Sequence, residues 1–309
     1  MDAQNASRTA IATSLMRAIH TQADPHPILS DPWGDRIVPG TTWASFYQLA
    51  RSRNPQLPER LDEARLRAVI SSGLRASPAY PNVIMRSRYA EDALHQAVSR
   101  GVRQYVLIGA GFDSYALRVP ASPGIHVIEI DHPATQTLKR QCLAQLDVAL
   151  PDSTHFVPAD LSVEDLPAVL RNSPLRAAEP AFFSWLGVTM YLSREANFKT
   201  LSAIARAAAP GSELVFTYLD QAFFESEFAS TASAQALSQS VSAMGEPFVC
   251  GFNPSTLESD LASAGYSLVE DLPDTELLRM YDPQGLNKLI PNRLGRIALV
   301  RVVGASDMS

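Results

Sequence analysis

Apolar positions in the first hundred residues recur at helical spacing. Ile11, Leu15, Ala18 and Ile19 form one stripe behind Ser7-Arg8-Thr9, which predicts a capped helix running to about Ile19. Asp24-Pro25 and then Asp31-Pro32 interrupt it, and a loop rich in Pro, Arg and Asn at Ser52–Pro58 precedes a second helix near Leu61–Leu74. A third runs from about Ser87 to Arg100 and stops at Gly101, a residue type that closes helices by accepting a left-handed backbone.

From Gln104 the pattern changes to short apolar runs alternating with helical ones. Five runs read as strands: Gln104–Ile108, Ile125–Ile130, Thr154–Val157, Ala181–Trp185 and Glu213–Tyr218. Helices are expected between them at about Pro133–Leu146, Asp165–Leu170 and Ser193–Ala208. Gln221–Met244 then reads as a long helical stretch rich in Ser and Ala, opening with Phe223, Phe224 and Phe228, and suited to capping a pocket. A helix at Pro254–Ala264 and strands at Tyr266–Glu270 and Arg296–Val303 follow. Strands alternating with helices imply an α/β fold, a parallel sheet covered on both faces. Such sheets bind ligands at the carboxyl ends of their strands, where the strand order reverses.

Composition narrows the field. The 309 residues are 46% hydrophobic and 19% charged, which excludes disorder, collagen-like repeats and a disulfide scaffold. Acidic residues outnumber basic ones, 32 to 26, so the net charge of −6 argues against a nucleic-acid partner. No apolar run approaches the roughly 20 residues of a membrane helix. MDAQNASRTA has no charged-then-apolar leader pattern, and Cys142 and Cys250 lack ligand spacing, so a cytoplasmic protein with buried thiols is expected.

Chemistry concentrates at the strand ends. Gly109-Ala110-Gly111 follows the first strand, where glycines let backbone pass close to a ligand. Ser114 occupies the place of the third glycine in a dinucleotide fingerprint, which disfavours NAD or FAD. Asp131 stands twenty residues past Gly111 at the exit of the second strand, placed to accept hydrogen bonds from ribose hydroxyls; Glu129, two residues earlier on the same side, is its rival. Asp160-Leu161 after the third strand suits an adenine: a carboxylate for the exocyclic amine, then a backbone N–H for a ring nitrogen.

Taken in order, S-R-T-A at 7–10, Arg17-Ala18, Asp31-Pro32, R-S-R-Y-A-E-D at 86–92, G-A-G-F-D-S at 109–114, E-I-D-H-P at 129–133, A-D-L at 159–161 and S-W-L-G-V-T-M-Y-L at 184–192 make a recognisable set. The chain resembles the leucine carboxyl methyltransferase family, and more closely its bacterial branch of S-adenosylmethionine-dependent, polyketide-type O-methyltransferases. The resemblance is strong over about residues 7–220 and weak beyond. It implies a Rossmann-like, seven-stranded class I methyltransferase sheet with the last strand antiparallel. It also implies a helical cap over residues 1–100 and a catalytic domain over 101–309, with a helical insertion at about 221–264 over the acceptor site. By the same resemblance Gly109, Ala110 and Gly111 lie beneath the methionine portion of the cofactor, Asp131 holds ribose, Asp160 and Leu161 hold adenine, and Arg88 takes the methionine carboxylate with help from Arg17. Tyr191 stands where the family places a site tyrosine. Close relatives often carry an acid after the fourth strand, where this chain reads Trp185-Leu186-Gly187. Arg88 also has i+3 and i+4 spacing to Glu91 and Asp92, which suits a plain surface ion pair.

Methyl transfer from a sulfonium needs alignment more than acid–base machinery. No triad stands out, and the six histidines lack metal-ligand spacing. A carboxylate acceptor requires no base; for a hydroxyl, His20 and His132 are candidates. Phe223, Phe224 and Phe228 suit a flat apolar small molecule. The competing readings are an NAD-dependent oxidoreductase and a catalytically silent cofactor-binding protein.

Overall fold

A computed structural model describes residues 6–118, 124–225, 247–291 and 294–304, together with position 235. Four helices come first: α1 (Arg8–Ala23), α2 (Thr42–Arg53), α3 (Glu63–Arg75) and α4 (Tyr80–Ser99). The alternating part follows as β1 (Gln104–Ile108), α5 (Tyr115–Arg118), β2 (His126–Asp131), α6 (Pro133–Gln145), β3 (Thr154–Pro158), α7 (Leu166–Asn172), β4 (Phe182–Trp185), α8 (Arg194–Ala207) and β5 (Glu213–Leu219). It closes with α9 (Leu257–Ser263), β6 (Tyr266–Pro273), α10 (Asp274–Tyr281) and β7 (Gly295–Val302).

The seven strands form one sheet in the order β3-β2-β1-β4-β5-β7-β6. β1 to β5 run parallel, and β7 lies antiparallel between β5 and β6. The expected fold class is therefore borne out. Strand order reverses between β1 and β4, so the crevice for a ligand opens at their carboxyl ends.

Successive residues of β1 feed opposite cores, as the two-residue period of a strand requires. Val106 and Ile108 pack with Phe183, Phe216 and the helices α7 to α9. Tyr105 and Leu107 pack with Phe182, Val215 and the inner face of α4. A third cluster joins α1, α2, α3 and the start of α4 to Phe112, which follows the glycine turn. Fully burying a side chain the size of Phe183 or Leu15 stabilises by about 1.5–3 kcal/mol, so each layer is held independently. α4 thus belongs to the sheet's layer along most of its length, while α1 to α3 stand over the strand tips.

The sequence expectations contain neither α5 nor α10, and the elements differ from them in three further places. α2 is additional: Trp43, Phe46, Tyr47 and Ala50 do fall at helical spacing, but Thr41 makes no side-chain cap and Pro39-Gly40 precedes it, so the start signal is missing. α4 begins at Tyr80 rather than Ser87, because Pro81 sits in the first turn, where its missing N–H leaves no hydrogen bond unmade. Of the helix expected over Gln221–Met244, residues Gln221–Phe224 form a 3-10 turn that ends at Glu225, and the rest, Phe228 included, lies outside the described residues but for position 235.

Candidate active site

The turn after β1 holds Gly109 and Gly111 at φ +70° and +55°, a left-handed backbone that penalises any side chain. It is also crowded: a Cβ on Gly109 would lie 2.8 Å from Val188 Cγ2, and one on Gly111 3.0 Å from the Ala10 Cβ of α1. The turn is tied to the next strand through the Gly109 and Ala110 N–H groups, which donate to the Ile130 carbonyl at 2.9 and 3.2 Å. The Gly111 N–H donates to the Asp131 carboxylate. The cap, the turn and the tip of β2 are thus one connected surface.

The two acids of β2 have different fates. Glu129 is buried and takes Lys139 Nζ at 2.6 Å, itself buried; burial pushes its carboxyl up to about 7. Asp131 lies at the strand exit, accepting from the Gly111 and His132 N–H groups. Desolvation raises its pKa, and those two hydrogen bonds oppose the rise. Asp160, after β3, is more open. It accepts from the Ser162 N–H and hydroxyl at 3.0 and 2.6 Å, and these bonds lower its pKa. His132 Nε2 stands 3.6 Å from Asp160 Oδ2, linking the tips of β2 and β3. Leu161 is half-buried against the α7–α8 side of the core.

The arginines separate by role. Arg17 is buried and braces α1 to the turn, with Nε 2.8 Å from Asp31 Oδ2 and Nη2 donating to the Phe112 carbonyl at 2.6 Å. Arg88 is partly exposed, paired with Asp92 at 2.9 Å and donating to the Ile28 carbonyl at 3.0 Å. Its spacing to Asp92 is realised as an ion pair. Arg86 is the arginine of α4 that lines the cavity. Residues two apart on a helix point about 200° apart, so the two cannot share a face. Arg86 is half-buried, and desolvation lowers its pKa to about 10. A Cβ on Gly187, at the tip of β4, would lie 2.6 Å from its Nη2.

A cavity of about 280 Å³ lies under the cap at the carboxyl ends of β4 and β5; Gly109, Gly111, Asp131 and Asp160 do not line it. Met16, Phe46, Leu49, Ile70 and Leu74 give it an apolar wall, while Arg86, Asn82, Thr217 and Gly187 mark the sheet end. Among the described residues its lining includes Arg53 and Arg86 and no carboxylate. Tyr191 lines it too, tilted against Phe248 with ring centres 5.6 Å apart, and Phe223 packs on Phe248. Phe224 is exposed.

His20 lies elsewhere, which corrects its candidacy as a base. Its Nδ1 is 2.5 Å from Asp24 Oδ2, and its Nε2 accepts the Ile28 N–H at 2.9 Å. Both ring nitrogens are used inside the cap, and the ring does not line the cavity. His132 is likewise engaged, its Nδ1 accepting from the Ala134 N–H. Among the described residues no cluster of His, Cys, Asp and Glu is placed to hold a metal, and no helix is long and apolar enough to cross a membrane. The sequence reasoning missed Arg86, although it falls three residues after buried Val83 and four before buried Ala90, on the inner stripe of α4.

Comparison with known proteins agrees with this geometry. The family model for leucine carboxyl methyltransferase matches residues 10–205. YktD of Bacillus subtilis, provisionally named an S-adenosyl-L-methionine-dependent methyltransferase, is 30% identical over 89% of this chain and 91% of its own length. A Mycobacterium tuberculosis protein with the same provisional name is 32% identical over 68% of this chain and 56% of that protein. Among solved structures, a Thermobifida fusca protein provisionally named a methyltransferase superposes with TM-score 0.55 at 20% identity, covering 77% of this chain and 88% of that one. A family match over residues 10–205 and a relative aligned along nearly its whole length place the chain in the leucine carboxyl methyltransferase family, on a class I methyltransferase fold.

Proposed function

We propose that the protein moves a methyl group from S-adenosylmethionine to an oxygen of a small, largely apolar organic acid, such as a polyketide-type metabolite, in the cytoplasm. The donor follows from the family and from relatives named for dependence on it. The observation that carries the acceptor is the cavity, apolar along the cap, with Arg53 on its lining besides Arg86, no carboxylate among the described residues that line it, and its inner end at the carboxyl ends of β4 and β5. The strand tips fit the cofactor, since the glycine turn admits no side chain beneath it and Asp131 and Asp160 stand in series beside it.

S-adenosylmethionine supplies, when bound, a methyl group already activated on a sulfonium centre. Gly109, Ala110 and Gly111 form the floor for its methionine portion, Asp131 accepts from ribose, and Asp160 with the Leu161 N–H reads adenine. Arg86 takes the methionine carboxylate as a charge-assisted contact, and Arg17 secures the turn rather than the ligand. Tyr191 and Phe248 border the acceptor. Among the described residues the titratable side chains on the cavity are Arg53, Arg86, Tyr191 and Tyr218. With no base among them suited to neutral pH, a carboxylate, which arrives ionised, is favoured over a hydroxyl.

An NAD-dependent oxidoreductase is disfavoured by Ser114, which is buried where a third glycine would stand and accepts from Arg118 Nε at 2.9 Å. A silent binding protein is disfavoured by the open acceptor cavity. Calorimetric titration decides between them: S-adenosylhomocysteine binds and NADH does not. Incubation with S-adenosylmethionine and a panel of apolar acids, followed by mass spectrometry, yields methyl esters. Binding of NADH alone, or methylation confined to hydroxyls, would sink the reading.

A further inference from the structure

Arg86 is an unusual arginine for this molecule. Arg17, Arg118 and Arg296 each meet a carboxylate directly, at Asp31, Glu91 and Asp271. Among the described residues Arg86 has no such partner within ion-pair distance, although it is half-buried at the cavity, partly desolvated and close enough to Arg17 to be repelled by it. Its Nη1 donates instead to the Asn82 side-chain carbonyl at 3.1 Å, one turn earlier on α4. The other end of that amide donates from Nδ2 to Asp274 Oδ1 at 2.8 Å.

Asp274 opens α10 and is fully buried. Its second oxygen, Oδ2, has no hydrogen-bond partner. It fits because residue 295 is glycine: a Cβ there would lie 2.3 Å from Oδ2. Once ionised, above about pH 7, this carboxylate only accepts hydrogen bonds, so it draws the NH₂ end of Asn82 toward itself. The carbonyl end is thereby turned to Arg86. Without Asp274 the amide is free to present either end, and its NH₂ end would repel the guanidinium.

We propose that Asn82 and Asp274 are positioning residues that hold Arg86 over Gly187 with its charge left unneutralised, ready for the carboxylate of the cofactor's methionine portion. A carboxylate in direct contact would fix the guanidinium equally well but would compete with that ligand. An interposed amide transmits orientation and keeps the anion one residue away. The proposal rests on the reading that Arg86 takes the cofactor carboxylate.

The test compares two ligands on the full chain by calorimetry: S-adenosylhomocysteine and its decarboxylated analogue, 5′-(3-aminopropylthio)-5′-deoxyadenosine. Arg86→Met weakens the first about tenfold or more and leaves the second within about twofold. Asn82→Leu and Asp274→Ala follow the same pattern, with losses of about tenfold for the carboxylate-bearing ligand only. Asp274→Asn, which keeps an acceptor oxygen for Asn82, restores most of that affinity. Equal losses for both ligands in Asn82→Leu and Asp274→Ala would overturn the positioning role, since a general loss of structure cannot single out one carboxylate. If Arg86→Met itself binds S-adenosylhomocysteine normally, the parent reading of Arg86 falls instead. If Arg86→Met loses it while Asn82→Leu and Asp274→Ala do not, the parent reading stands and the proposal alone falls.

Discussion

The tips of β1 to β3 and the cavity under the cap solve different problems with different materials. The tips are built from backbone and short acids: hydrogen bonds tie Gly109 and Gly111 to the end of β2 at Ile130 and Asp131, and His132 reaches to 3.6 Å from Asp160. The cap side is built from aliphatic side chains of α1, α2 and α3, with Arg86 at its inner end. A donor shared by many reactions calls for a fixed polar cradle. An acceptor peculiar to one reaction is read by shape, which apolar side chains supply and exchange readily.

Variants on either side break or sharpen that contrast. The largest effect is expected at Glu129, beneath the cradle. Glu129→Ala leaves Lys139 charged and buried, so denaturant unfolding at pH 8 shows a loss of about 3–5 kcal/mol, whereas S-adenosylhomocysteine affinity of the folded protein is unchanged. Gly109→Val forces a branched side chain into a left-handed backbone against Val188; calorimetry shows binding of S-adenosylhomocysteine abolished, with at least about 2 kcal/mol of stability lost. Asp131→Ala weakens the same ligand by about 1.5–3 kcal/mol without comparable destabilisation. Leu49→Ala on the cap wall leaves that affinity within a few tenths of a kcal/mol, and changes the acceptor preference seen by mass spectrometry. A strong effect of Leu49→Ala on donor binding would collapse the distinction between the two regions. Arg88→Ala is the smallest, with about 0.5 kcal/mol or less of stability and no change in binding, as for a partly exposed i,i+4 pair.

Acid–base behaviour sharpens the contrast further. Burial raises Asp274 to about 7, well above its ordinary value of 3.8. The folded state therefore holds a proton that the unfolded state releases, so this contribution is complete below pH 4 and lost as pH rises through about 7. Over that window stability falls with a slope approaching ~1.4 kcal/mol per pH unit from this group. Asp274→Asn removes its share, so urea unfolding at stepped pH gives a shallower curve; an unchanged slope would show that Asp274 does not titrate there.

The polar cradle was legible because its parts are local. Each parallel strand reads as a short, largely apolar run, and each ends in, or is followed within two residues by, a glycine or an acid. Asp131 and Glu129 are adjacent on one strand face, and only the structure supplies Lys139, which claims one of them. The cap side was less legible. α2 lacks a start signal, and the motif R-S-R offered two arginines whose opposite directions depend on where α4 begins. His20 looked available until Asp24 and the Ile28 N–H occupied its ring. Asp274 meets Asn82 across 192 residues, and a contact of that span leaves no periodicity or motif to read.

The position of β7 between β5 and β6 bears on how the chain is made. During synthesis β1 to β5 emerge first and can pair in order, but β6 has no neighbour until β7 follows it. Until then β5 and β6 both lack the partner that β7 supplies, and each is prone to pairing with another molecule. Gly295, which leaves room for Asp274 beside Asn82, arrives with that same strand. Closure of the sheet and completion of the support behind Arg86 are thus one event, late in translation.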